Sequence, residues 1–152
     1  MNLPDIELCC HGFSVRFRFN ETQPTSDCLY LQIVICFSYD NPSEDIRARE
    51  TWVSKNDVLR LAAFLETELQ VIDARVESDF PTFVTLNYGF EFVLKYLSSI
   101  MEGETEVPAA VLEMMVVVSH LADGARVFAG VKGDCSVSSL RHFIDDLRKV
   151  TP

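Results

Sequence analysis

The chain has 152 residues, 48% of them hydrophobic, with 13 Lys and Arg against 23 Asp and Glu for a formal net charge of -10. That length fits one domain, and that apolar content excludes disorder. The acid excess repels phosphate backbones and anionic bilayers, so no nucleic acid and no membrane are expected as partners. A basic protein is the partner that such a surface favours.

The opening residues, MNLPDIEL, lack a basic segment followed by an apolar one and do not read as a signal peptide. The longest purely apolar run, Met114 to Val118, is far too short to cross a bilayer. A soluble, cytoplasmic protein is the expectation. The five cysteines, Cys9, Cys10, Cys28, Cys36 and Cys135, form no CxxC pair and are odd in number. In that compartment they read as reduced, mostly buried thiols.

Strand signals open the chain. Residues 5–10 and 13–19 form one long strand or two, with a break at His11-Gly12. In HGFSVRFRF, residues 11–19, Phe13, Val15, Phe17 and Phe19 alternate with Ser14, Arg16 and Arg18. The two arginines therefore share the polar face of an amphipathic strand. A cross-strand ladder with carboxylates, for example Glu91 or Glu113, is the expected role. Residues 20–27 are a loop, and residues 28–39 (CLYLQIVICFSY) are apolar enough for a central strand. After the turn at 40–45, residues 46–53 alternate imperfectly, as in an edge or bulged strand.

The first helix is predicted over about 54–69. Ser54 is a good N-cap, Asp57 stands three residues on as in a capping box, and Val58, Leu61, Ala62, Leu65 and Leu69 repeat at helical spacing. Strand-like segments follow at 71–78, 82–86 and 90–97, with a turn at Asn87-Tyr88-Gly89. The acidic turn MEGETE, residues 101–106, leads to a strand over 109–121. Asp123-Gly124 signals a hairpin, and residues 125–131 return. The last helix, about 137–150, starts near Ser136 or Ser138 and carries the stripe Leu140, Phe143, Ile144, Leu147, Val150. The predicted class is α+β: an antiparallel, strongly curved sheet of about seven to eight strands with two helices, in one domain.

No constellation of catalytic residues stands out. Adjacent Cys9 and Cys10 point to opposite faces of a strand and cannot readily share a metal, so no metal and no cofactor are expected. A Cys–His nucleophile would need a thiol beside His11, His120 or His142, and nothing in the spacing requires it. Asp145 and Asp146 splay apart on their helix and form no carboxylate pair. The densest predicted exposed acid is Asp40, Glu44 and Asp45 in one turn and Glu102, Glu104 and Glu106 in another. These six are the candidate partner-binding residues.

The segments WVSKNDVLRLAAFLETEL, SDFPTFVTLNYGFEFVLKYL and SSLRHFIDDLRKV, with the strand pair between the last two, resemble the WapI-type immunity proteins, a group of small bacterial proteins, and similar domains of unknown function. The likeness covers roughly residues 28–150 and lies in the layout, with Asp79-Phe80-Pro81-Thr82 departing from the group's usual turn. The resemblance implies a non-catalytic binding protein that neutralises a toxin by masking its surface. It carries over no catalytic residues. Two alternatives stand beside it: a small enzyme or ligand-binding domain with a pocket between sheet and helix, and a homodimer joined through a half-apolar sheet face that includes Val93 and Leu97.

Overall fold

In the computed structural model the described residues are 3–21, 26–38, 44–72, 80–85 and 89–151; for residues 96 and 97 the backbone alone is described. The elements run β1 (Ile6–Cys9), β2 (Phe13–Glu21), β3 (Cys28–Phe37), β4 (Ile46–Arg47), β5 (Thr51–Ser54), α1 (Lys55–Val71), β6 (Phe83–Val84), β7 (Phe90–Glu102), β8 (Thr105–His120), β9 (Arg126–Ser136) and α2 (Val137–Val150). The class is α+β and every strand pairing is antiparallel.

The strands divide between two sheets where one curved sheet was expected. The first has the order β1-β2-β3-β4, with β5 also paired to β3, and the second has the order β6-β7-β8-β9. The division falls at α1, which ends the first sheet in the chain and precedes the second. Residues 46–53 are two short strands, not one. The Ala48 N–H bonds to the Ile33 carbonyl at 2.8 Å, and the next N–H, of Arg49, bonds to Val117 of β8 at 2.8 Å, tying the sheets together. The strand expected over 71–78 mostly lies outside the described residues; Val71 is the last residue of α1 and Ile72 is its C-cap.

Inner faces of both sheets meet one core. The alternation in β2 places Phe13, Val15, Phe17 and Phe19 inward, all buried. Phe17 is its centre: its ring lies 5.6 Å from Phe90 of β7 and 5.3 Å from Phe143 of α2, both edge-on. One side chain thereby contacts both sheets and a helix. Burial of each such ring removes enough apolar surface to stabilise by about 1.5–3 kcal/mol. Helix α1 lays Val58, Leu61, Ala62, Leu65 and Leu69 on this core, and α2 lays Leu140, Phe143, Ile144, Leu147 and Val150. Phe64 of α1 meets Phe83 of β6 at 5.6 Å.

A disulfide joins Cys10, just after β1, to Cys135 near the end of β9, across 125 residues of chain. This corrects the expectation of five reduced thiols. Cys9 is exposed, and Cys28 and Cys36 are half-buried. The bond sits where the His11 N–H reaches the Asp134 carbonyl at 2.8 Å, so hydrogen bond and disulfide fasten the same corner. Among the described residues no helix is long and apolar enough to cross a membrane.

Candidate functional site

The candidate acids that the structure describes fall in two groups. Glu102, Glu104 and Glu106 stand at the hairpin between β7 and β8, all exposed. The hairpin pairs Glu102 with Thr105 and turns through Gly103 at φ 64, a left-handed conformation that glycine adopts without a Cβ penalty. The Ser99 hydroxyl donates to Glu106 Oε1 at 2.6 Å, holding one of the three carboxylates to the strand. Glu44 is exposed and Asp45 half-buried just before β4. Asp45 is close enough to Cys36 to help push its thiol up, although burial is the larger cause. Among the described residues no hydrogen bond or ion pair links these two to the hairpin acids. Asp40 lies outside the described residues.

Glu102 also borders two open hollows beside the start of α2. One, of about 200 Å³, is lined by Cys9, Cys10, His11, Ile100, Ser136 and Ser139 as well as Glu102. The other, of about 390 Å³, has Arg141, His142 and Asp145 along its helical side. Ser136 is the N-cap that fixes this end of α2, accepting from the Ser139 N–H at 3.1 Å. Sequence reasoning named Glu102 but missed these neighbours. The bond between Cys10 and Cys135 is what gathers them, and two cysteines so far apart in the chain give no signal of pairing.

Among the described residues no hydrogen bond joins a thiol to an imidazole, although Cys9 and His11 border the same hollow. Cys10 is bonded to Cys135. The Cys9 thiol is raised above its usual range by burial and by the Glu7 carboxylate, which opposes thiolate formation. His142 is exposed and bonds through Nδ1 to the Ser138 carbonyl at 2.8 Å, one turn back on its own helix. His120 is exposed at the end of β8. Among the described residues no group of three His, Cys, Asp or Glu could hold a metal ion.

An open hollow of about 580 Å³ lies between α1 and β6, bordered by Arg60, Phe64, Glu68, Pro81 and Phe83, whereas deeper, between sheet, α1 and α2, Phe17, Phe19, Leu31, Leu61, Phe90 and Leu147 line a space of only about 10 Å³. That is room for roughly one water probe and for no substrate.

Arg16 and Arg18 do stand in a ladder, but with other partners than Glu91 or Glu113. Arg16 pairs with Glu7 at 3.7 Å and Arg18 with Asp5 at 3.2 Å, both contributed by the β1 side of the hairpin. Glu113 instead binds Lys95 at 3.0 Å and Lys132 at 3.4 Å on the outer face of the second sheet. On that face Val93 is half-buried, and the side chain of Leu97 lies outside the described residues.

No protein-family model matches the chain, and no curated protein matches it.

Proposed function

We propose that the chain is a non-catalytic protein-binding domain that engages a basic partner through its exterior. One observation carries this reading: Glu102, Glu104 and Glu106, all exposed, are held out on a two-strand hairpin. An excess of ten negative charges on the chain suits electrostatic capture of a cationic surface. Masking a toxin, as the resemblance to immunity proteins implies, is the finer form of the proposal. The cytoplasm is the compartment proposed with it. There, thiols are kept reduced, and Cys10 and Cys135 would stand as a pair of thiols ready to close.

The test is affinity capture by the immobilised chain from a lysate of its source cells, at low and high salt. A basic protein retained at low salt, released at high salt and lost with the triple substitution E102K/E104K/E106K is the expected result. Retention indifferent to both salt and the triple substitution removes the proposal.

A further inference from the structure

β9 is the last strand of the second sheet, and among the described residues no strand pairs with its outer edge between Phe128 and Lys132. The backbone shows which groups face outward there. The Asp134 carbonyl accepts from His11, on the side away from β8, whereas the Ala125 carbonyl accepts from Leu121 across the hairpin, each at 2.8 Å. Backbone groups alternate in direction along a strand. Phe128, Gly130 and Lys132 therefore turn their N–H and C=O outward, and an open row of this kind is a template for another strand.

Apolar side chains flank that row. Val127 and Phe128 are each 39% exposed, and Met115, in register with Gly130 on β8, is 38% exposed. Phe128 and Met115 lie on the same outer face of the sheet.

We infer that β9 pairs antiparallel with β9 of a second copy of this chain, about a two-fold axis at Phe128, so that two four-stranded sheets become one continuous sheet. Elimination narrows the register, and the facing aromatic pair selects the axis at Phe128 over one at Val127. An axis at Gly130 would bring Arg126 of the second copy opposite Asp134, a place that His11 already occupies. An axis at Ala129 would set Arg126 directly opposite Lys132 of the second copy, and like charges facing across a sheet are destabilising. An axis at Phe128 meets neither obstacle. Phe128 faces its own copy, Arg126 faces Gly130, and Lys132 comes to the Asp123-Gly124 turn with its opposite charge. The aromatic pair then closes over the axis with Met115 from each chain beside it. The same patch serves both chains, as an isologous two-fold interface requires. This association is independent of the basic partner proposed above.

Sedimentation or light scattering across a wide concentration range reads the prediction directly. The native chain is expected to approach twice its 17.2 kDa mass as concentration rises. Phe128→Lys is expected to abolish the dimer while leaving the circular dichroism spectrum unchanged. Phe128→Pro, which removes only an outward N–H from the backbone, provides a second variant that leaves the pairing with β8 intact. For register, oxidised Phe128→Cys is expected to crosslink two chains, because facing residues of a hydrogen-bonded pair stand about 5.5 Å apart, within disulfide reach. Ala129→Cys is the control and should not crosslink. The crosslinked peptide is identified by mass spectrometry, since Cys9, Cys28 and Cys36 are free thiols. A native chain that remains at 17.2 kDa at every concentration overturns the inference. So does a dimer that survives both Phe128 substitutions, or crosslinking through residue 129 and not 128.

Discussion

Glu113 stands between Lys95 and Lys132 on an open sheet face, and its chemistry is set there. A hydrogen bond from Lys95 holds its carboxyl below the usual range, partial burial opposes this, and the charges of both lysines add to the lowering. A group lowered in the folded state contributes stability above its unfolded pKa and loses it as pH falls through the folded value. Glu113→Gln is therefore expected to lower stability by up to about 1 kcal/mol at neutral pH, as for other exposed pairs. The gap between native and variant melting temperatures should close on acidification, and a gap that persists in acid would show that charge is not the cause. Cys9 gives the converse case. Although the residue is exposed, partial burial of its sulfur first and Glu7 second raise the thiol, so little thiolate is present at neutral pH. Alkylation of Cys9 is expected to be slow there and to accelerate in Glu7→Gln, with the pH–rate profile moving to lower pH. The ladder of Arg16 and Arg18 was legible in the alternation of HGFSVRFRF, but its partners were not. A sequence shows which side chains share a face and not which strand lies alongside, and the short β1–β2 hairpin brings Asp5 and Glu7 nearest.

At the scale of the element, α1 was spelled out most fully. The Ser54 side chain accepts from the Asp57 N–H at 3.0 Å, and the Ser54 N–H donates to Asp57 Oδ2 at 3.3 Å, completing the capping box. Ser54→Ala is expected to cost about 1 kcal/mol in denaturant unfolding, without altering the dependence on denaturant. Asp57→Ala should cost more, because Asp57 is 3% exposed and also holds Arg60 at 2.9 Å. An equal or smaller loss would contradict the reciprocal cap. Strand ends were harder to read. β7 continues past Leu97 through a register shift between Leu94 and Leu97, β8 begins at Thr105 ahead of Pro108, and β9 runs through Lys132-Gly133-Asp134 to Ser136. Glycine, proline and charge mark turns in a sequence, yet pairing with a long neighbouring strand overrides those local preferences. The acidic hairpin itself was placed correctly, since Gly103 and its flanking glutamates leave no apolar face to bury.

For the whole molecule, the α+β class and both helices followed from periodicity, but the separation into two sheets did not. Strand signals record local alternation, whereas sheet membership depends on contacts between distant segments, such as Phe17 with Phe90. The Cys10–Cys135 bond is of the same distant kind. In the chain-entropy account it stabilises by restricting the unfolded state, and its removal by Cys10→Ser or by reductant is expected to cost about 2–4 kcal/mol. Equal unfolding midpoints with and without reductant would show that the bond contributes nothing. A further consequence is topological. Because the linkage joins residues 10 and 135, the chain between them is a covalent ring. A glutamyl endopeptidase that nicks the backbone at Glu102 or Glu104 opens the ring without dividing the molecule. The two fragments should migrate as one band on a denaturing gel and come apart only when the sulfur bridge is broken.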